Sequence, residues 1–286
     1  MKKIAAGSAR QKVVLFLLLL VIVRGPFYAA ALIGGWVESR DVPLVMLAFA
    51  FLSAPPLLAV AVRLKTQRNL RGFGWKPGHP GYLLIGWAFP ILVALVVYGV
   101  AWAAGLIAPV PGRSAGVLTL IGPTVGITLG FVISTLLFEE LGWRGLLVPE
   151  LARYLSFGRV ALISGAVWAL FHYPFLLWPA YATVPPTVSN VLAFTAGIIA
   201  ASFPLAWLRL RSGSVWPAVL AHAAHNAFVN EVLAKEFHPT GPVGAALVGE
   251  SGFGLVAGYA VLAWWCWKHR GKLPNVGEDA SLAAPA

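Results

Sequence analysis

The sequence predicts an all-α polytopic membrane protein with about eight transmembrane helices. Hydrophobic residues make up 59% of the 286 residues and charged residues only 11%, whereas a soluble domain carries about 25% charged residues. The apolar residues form eight runs of roughly membrane length, near 13–36, 43–62, 82–105, 118–147, 160–178, 189–208, 214–234 and 252–267. Each run is therefore expected to form one membrane helix.

The basic residues predict the orientation of these helices. Sixteen Lys and Arg residues fall at the two termini and in the even-numbered breaks, whereas the other breaks hold three, Arg40, Arg113 and Lys235. Positively charged loops tend to stay in the cytoplasm, so both termini of this integral, multi-pass cell-membrane protein are expected there. The cytoplasmic position of the basic loops and their contact with anionic lipids therefore explain the net charge of +11. No nucleic-acid partner is expected.

No linker or internal repeat divides the chain. Residues 1–274 are expected to form a single transmembrane domain, and residues 275–286 a disordered cytoplasmic tail. No small-x-small cleavage site precedes Arg24, so the first run is expected to remain as a helix. Arg24 would either enter the bundle to meet a carboxylate or snorkel to the interface, and snorkelling is favoured. Cys266 is the one cysteine, which excludes a cysteine-based metal site.

Three polar groups interrupt apolar runs: Glu139-Glu140 with Arg144, then His172, then His222 with His225 and Asn226. Acidic residues inside a membrane span are expensive to bury and are candidates for function. At 1.5 Å per residue from the predicted cytoplasmic edge, Glu139 lies ~15 Å deep, His172 ~18 Å and His222 ~11 Å. In a hydrocarbon core of ~30 Å, these residues share one layer. We expect them to surround one cavity that opens towards the cytoplasm.

Helical spacing distinguishes the two glutamates. Glu140 and Arg144 are four residues apart, so they share a helix face and can form an ion pair. Glu139 is rotated by about 100° from Glu140. Glu139 is therefore expected to be the free carboxylate, with Glu140 as a structural partner of Arg144.

The histidines suggest how a free carboxylate could be used. His222 and Asn226 are also four residues apart and project together, whereas His225 points about 60° away and is expected to pack or to support the site. A glutamate such as Glu139 beside a neutral histidine such as His172 suits general-base activation of water.

The residues alone leave open whether a metal takes part in the reaction. Glu139, His172 and His222 could hold a zinc ion with water in the fourth position, although the chain has no His-Glu-x-x-His helix. The same residues could also work without a metal, with His222 and Asn226 donating to a developing oxyanion.

At these residues the sequence resembles the CPBP family of intramembrane proteases, which includes the type II CAAX prenyl endopeptidases and the bacteriocin-processing (Abi) proteins. Glu139 to Arg144 matches the family's Glu-Glu-x-x-x-Arg motif. Trp168 to His172 matches its Phe-x-x-x-His motif, with Trp replacing Phe at what is expected to be a packing position. His222 to Asn226 matches its His-x-x-x-Asn motif. The resemblance covers about residues 120–230.

The resemblance implies a protease domain in which Glu139 and His172 activate water and His222 and Asn226 form an oxyanion pocket. It implies an intramembrane endopeptidase that hydrolyses a peptide bond of a membrane-associated protein or peptide, with that substrate and membrane lipids as partners. The implied catalytic set is Glu139, Glu140, Arg144, His172, His222 and Asn226.

Two other classes stay open. A proton-coupled transporter also uses buried Glu and His residues as relays, but the halves of this chain carry no matching pair of Gly/Pro-broken helices. A non-catalytic family member could act as a membrane scaffold or immunity protein, although all the motif residues are present. Hydrolysis is therefore the favoured function.

Overall fold

The computed structural model describes residues 8–33, 53–112, 117–176 and 187–274. Within these ranges the chain is nearly all-α, which confirms the predicted class. Expectations for the other residues, including Arg40, Arg113 and the C-terminal tail, lie outside the described part of the chain.

Helices occupy the described part of all eight apolar runs. The first three runs form α1 (Ala9–Ile33), α2 (Ala54–Gln67) and α3 (Pro80–Ala103). The fourth forms α4 (Val117–Thr135), a π-helical segment called π1 (Leu136–Leu147) and α5 (Val148–Leu151). The fifth and sixth form α6 (Phe157–Leu176) and α7 (Val188–Ser212).

The seventh run also changes helix type along its length. It forms α8 (Trp216–His225), a second π-helical segment called π2 (Asn226–Leu233) and α9 (Ala234–Glu236). After the short helix α10 (Pro242–Leu247), the eighth run forms α11 (Phe253–Lys268).

Among the described residues, three helices are long and apolar enough to cross a membrane by length and composition: Pro80–Ala103, Leu120–Leu151 and Val188–Ser212. These helices make the chain a membrane protein. The count of eight spans and the cytoplasmic position of the termini stay predictions.

Two short strands mark one end of the bundle. β1 (Ile107–Pro109) follows α3 and β2 (Phe237–Pro239) follows α9, and they pair antiparallel with Ala108 opposite His238. We call this end of the bundle, which β1 and β2 define, the strand end. The charge bias predicts that it lies outside the cytoplasm.

A buried ionic cluster lies at the opposite end. Glu150 Oε1 is 3.1 Å from Arg63 Nη1 and 3.5 Å from Lys12 Nζ, and all three side chains are less than 10% exposed. The other terminal nitrogen of Arg63 donates to the main-chain carbonyl of Gly145 at 3.2 Å. The cluster therefore joins α1, α2 and α5 and holds the end of π1.

Small residues let the helices that carry the site approach closely. A Cβ added at Gly142 in π1 would lie 2.6 Å from Cβ of Pro55 in α2, and one added at Gly86 in α3 would clash with the carbonyl oxygen of Pro217 in α8. Membrane helices pack through small residues because lipid gives no hydrophobic force between them. These contacts fix π1 against α2 and α8 against α3.

Candidate active site

The first motif lies on π1, which carries Glu139, Glu140 and Arg144. Arg144 Nη1 is 2.7 Å from Glu140 Oε1, and the two side chains are 1% and 0% exposed. This ion pair agrees with the spacing of four residues. Arg209 Nε donates to the main-chain carbonyl of Arg144 at 2.7 Å and so holds the backbone of π1. Segments of π-helix are rare and are frequent at functional sites.

His222 binds the same carboxylate from the neighbouring helix α8. His222 Nδ1 is 2.9 Å from Glu140 Oε1, the oxygen that also accepts from Arg144. An ionised carboxylate can only accept, so Nδ1 carries a proton and Nε2 remains for the cavity that His222 lines. Glu140 therefore orients His222 as well as neutralising Arg144, a second role that the sequence did not reveal.

Glu139 faces His172 on α6. Glu139 Oε2 and His172 Nε2 are 3.7 Å apart, and the side chains are 13% and 23% exposed. His172 Nδ1 is 2.9 Å from the carbonyl oxygen of Trp168, so in the neutral ring Nδ1 donates and Nε2 is free to accept. A single water molecule can lie at ordinary hydrogen-bond distance from both atoms. The angle at the water between the two contacts would then be roughly 80°.

Trp168 does more than the packing expected of it. Its indole N–H donates to Glu139 Oε2 at 2.5 Å, and its ring lies 4.3 Å from Arg144 Cζ and 5.1 Å from the ring of His222. A phenylalanine at this position, as in the family motif, could not donate. The departure from the motif was the signal in the sequence that could have identified this contact.

The motif residues line one cavity of about 560 Å³. Its polar wall includes Glu139, Trp168, His172, His222, His225, Asn226 and Asn230. His225, expected to pack or to support the site, has its Nδ1 2.7 Å from the Tyr259 hydroxyl. The structure thus brings all three motifs to one cavity, with Glu140 and Arg144 buried behind it.

The cavity extends from these residues towards the strand end, because its wall includes Ala234 and Glu250. At the other end of the bundle, Arg209 donates to the carbonyls of Arg144 and Gly72. With the orientation that the charge bias predicts, this part of the cavity points away from the cytoplasm, whereas the sequence predicted an opening towards it. The side on which the cavity opens stays a prediction. The depth of a residue along its helix does not show on which side of the membrane the cavity around it opens, because that depends on side chains from other helices.

The sequence did not reveal Glu250. It lies between α10 and α11, outside the motifs, and accepts a hydrogen bond from Asn230 in the cavity wall. Burial raises the pKa of Glu250 above its usual value, while His172 and His222 lower it and the Glu139 carboxylate raises it. A single acid in a connection carries no periodic pattern that could have identified it.

Arg24 enters the bundle, so the favoured expectation that it snorkels is wrong. Its exposed fraction is 2%. Nη2 donates to the carbonyl oxygen of Phe171 at 2.8 Å, and Cζ lies 3.4 Å from the centroid of the Phe171 ring. A carbonyl and an aromatic face together can hold a buried guanidinium, and both come from α6, far away in the sequence.

The three possible zinc ligands, Glu139, His172 and His222, are not grouped as a metal site in the structure. Among the described residues, no three His, Cys, Asp or Glu side chains are grouped so that they could hold a metal ion. Glu139 Oε2 already accepts the indole N–H of Trp168.

The fold and the site define an all-α membrane protein with carboxylates and histidines around a cavity between its helices. The family model described as Type II CAAX prenyl endopeptidase Rce1-like matches residues 121–228, a segment that contains every motif residue. This match supports the CPBP/CAAX protease family and confirms the resemblance predicted from the motifs. No curated protein matches the chain.

Proposed function

We propose that this protein is an intramembrane endopeptidase that hydrolyses a peptide bond of a membrane-associated protein or peptide. The observation that carries the proposal is the pair formed by Glu139 Oε2 and His172 Nε2, 3.7 Å apart in the wall of the cavity. Both atoms can accept a proton, and both face space large enough for a peptide segment. The family match supports the same class of enzyme.

In the proposed reaction, a water held between Glu139 and His172 attacks the carbonyl carbon of the substrate. One proton of the water passes to Glu139 as the new C–O bond forms, and His172 Nε2 accepts a hydrogen bond from the other. When the C–N bond of the tetrahedral intermediate breaks, the proton moves from Glu139 to the leaving nitrogen. This transfer returns Glu139 to its ionised form. The products are a carboxylic acid and an amine, which become a carboxylate and an ammonium by proton exchange with solvent.

His222 and Asn226 are proposed to stabilise the oxyanion. His222 donates from Nδ1 to Glu140, so it can donate from Nε2 only as an imidazolium. That form is compatible with burial, because the positive charges of His222 and Arg144 balance the negative charges of Glu139 and Glu140. A preorganised donor of this kind typically contributes 10²–10³-fold to turnover.

The lining of the cavity supports a substrate held within the membrane. Phe89, Phe131 and Phe194 form part of its wall beside the polar residues. A volume of about 560 Å³ lies in the range typical of ligand sites and suits a few residues of a peptide. The polar groups line the same space as these rings, where they could reach the backbone of an extended segment.

Cleavage by purified protein in proteoliposomes tests the proposal. Three substrates are compared by mass spectrometry of the new termini: a transmembrane peptide, a farnesylated peptide with a C-terminal CAAX sequence, and the same peptide without the lipid. Wild type is expected to cleave at least one of them, and Glu139→Gln to lose roughly 10²–10⁴-fold in rate, the usual contribution of a general base.

Glu236→Gln makes the same chemical change outside the cavity wall and serves as the matched control. It should cleave at the wild-type rate. Equal rates for wild type and Glu139→Gln on every substrate would show that the protein is not a hydrolase of this kind. The substrate that is cleaved would also decide whether a prenyl group is recognised.

A further inference from the structure

Trp168 contacts both residues that are proposed to bind the water. Its side chain donates the indole N–H to Glu139 Oε2 at 2.5 Å. Its main-chain carbonyl accepts from His172 Nδ1 at 2.9 Å. One residue therefore fixes the carboxylate through its side chain and the imidazole tautomer through its backbone.

The indole ring is itself held in place from two sides. The guanidinium carbon of Arg144 lies 4.3 Å from its centroid, within the range of a cation–π contact. The ring of His222 meets it edge-on at 5.1 Å. The exposed fraction of Trp168 is 6%. The N–H is thus aimed at Glu139 by packing against residues of the other two motifs.

We propose that Trp168 is a positioning residue for the reaction, whose indole N–H holds the Glu139 carboxylate towards His172 and favours its ionised form. The inference rests on the proposed function and adds a residue that the motif resemblance treats as packing. Turnover depends steeply on such placement, since a misplacement of about 1 Å can lower the rate by ~10²-fold. A hydrogen bond to an ionised acceptor also stabilises the charged form over the neutral one.

The kinetic test is Trp168→Phe, which keeps an aromatic ring and removes the donor. We expect kcat to fall roughly 10- to 100-fold, the effect of losing one hydrogen bond to a charged group, with KM nearly unchanged. The acid limb of the pH–rate profile should move to higher pH, because the carboxylate without its donor takes up a proton more readily. A purely structural residue would change the folded fraction but leave the position of that limb unchanged.

Trp207→Phe is the matched control. Trp207 is buried at 9% exposure, and its indole nitrogen has no hydrogen-bond partner among the described residues. The same change in ring size should therefore leave the pH–rate profile and kcat as in wild type. If Trp168→Phe behaves like Trp207→Phe, the proposed role of Trp168 is refuted.

A second variant covers the case in which Trp168→Phe does not fold. Amber suppression can introduce 3-benzothienylalanine at position 168, which keeps the bicyclic shape and replaces the N–H by sulfur. The same fall in kcat and the same shift of the acid limb are expected. Full activity with this residue would show that the shape of the ring, not its donor, is what matters.

A measurement independent of cleavage separates this inference from the proposed function. In ¹⁵N-indole NMR spectra, the signal that disappears in Trp168→Phe belongs to Trp168. That signal should shift upfield in Glu139→Gln, because a neutral amide oxygen is a weaker acceptor than a carboxylate, and should stay in place in Glu236→Gln. An unchanged signal in Glu139→Gln refutes the contact, even if the enzyme cleaves its substrate. A shifted signal in a protein without cleavage supports the contact and refutes the proposed function alone.

Discussion

Glu140 Oε1 accepts a hydrogen bond from His222 Nδ1 at 2.9 Å, and this bond joins the second glutamate of the first motif to the histidine of the third. The spacing in the sequence indicated Arg144 as the partner of Glu140, and that ion pair is present. The additional bond means that Glu140 both balances a buried cation and fixes the ring that is proposed to stabilise the oxyanion.

Glu140→Gln should therefore affect stability and turnover separately. Removing one partner of a buried ion pair costs about 3–5 kcal/mol, so we expect a lower melting temperature in detergent. The rate per folded molecule should fall as well, because His222 loses the acceptor that orients it. Thermal unfolding measures the change in melting temperature. The cleavage rate normalised to the folded fraction measures the change in turnover.

The double variant Glu140→Gln with Arg144→Met distinguishes the two effects. It removes the unpaired cation, so part of the lost stability should return, while the rate stays low because His222 still lacks its carboxylate. Recovery of the rate together with stability would show that Glu140 acts only as a partner for Arg144.

Removal of metal is expected to leave turnover unchanged. The described residues offer no grouped set of three metal-ligating side chains, and the proposed chemistry uses Glu139 and His172 directly. Cleavage should persist after prolonged incubation of detergent-solubilised protein with 1,10-phenanthroline, at a concentration that inactivates a known zinc protease in parallel. Loss of activity that added zinc restores would show that the site rearranges around a metal.

Glu250 should make stability depend on pH. Burial raises its pKa, so the neutral carboxyl is favoured in the folded state, and the stability it contributes is complete below the unfolded pKa of ~4.3. This contribution is lost as pH rises through the raised folded pKa. Glu250→Gln keeps the side chain neutral, so its melting temperature should equal that of wild type near pH 4 and exceed it increasingly up to pH 8.

The difference in melting temperature between wild type and variant is taken at each pH, so that groups common to both proteins contribute little to it. Glu236→Gln is measured in parallel as the control. A constant offset at all pH values would mean that Glu250 is ionised in the folded protein throughout this range.

The buried cluster at Glu150 should contribute far more stability than an exposed pair. Glu150→Gln leaves Arg63 and Lys12 buried without a counter-charge, and a loss of about 3–5 kcal/mol is expected. The control is Glu231→Gln, since the side chains of Glu231 and Lys235 are 37% and 59% exposed and such a pair contributes only about 0.3–0.5 kcal/mol. Thermal unfolding in detergent measures both, and equal shifts would contradict the assignment.

Topology and the direction of the cavity can be tested with single cysteines in a Cys266→Ser background. Lys76→Cys should react with a membrane-impermeant maleimide only after permeabilisation, because its loop is predicted to be cytoplasmic. Ala234→Cys lies in the cavity wall near the strand end and should react in intact cells. The opposite pattern would reverse the orientation derived from the charge bias.

The sequence by itself determined those features that depend on local properties. Hydropathy is summed along the chain, so the apolar runs predicted the helices of this membrane protein. A spacing of four residues is enough to bring Glu140 and Arg144 together, because neighbours on one helix need no other element to meet. Depth counted along three helices was also sufficient to expect the three motifs in one layer, since the rise per residue is nearly constant.

Only the tertiary structure decided the contacts between helices. The bonds from His222 to Glu140, from Trp168 to Glu139 and from Arg24 to Phe171 depend on how each helix is rotated about its axis.

That rotation is not fixed by a period of 3.6 residues here, because π1 and π2 close wider turns with i→i+5 hydrogen bonds. The direction of the cavity and the place of Glu250 in its wall depend likewise on side chains from several helices, which only close packing brings together.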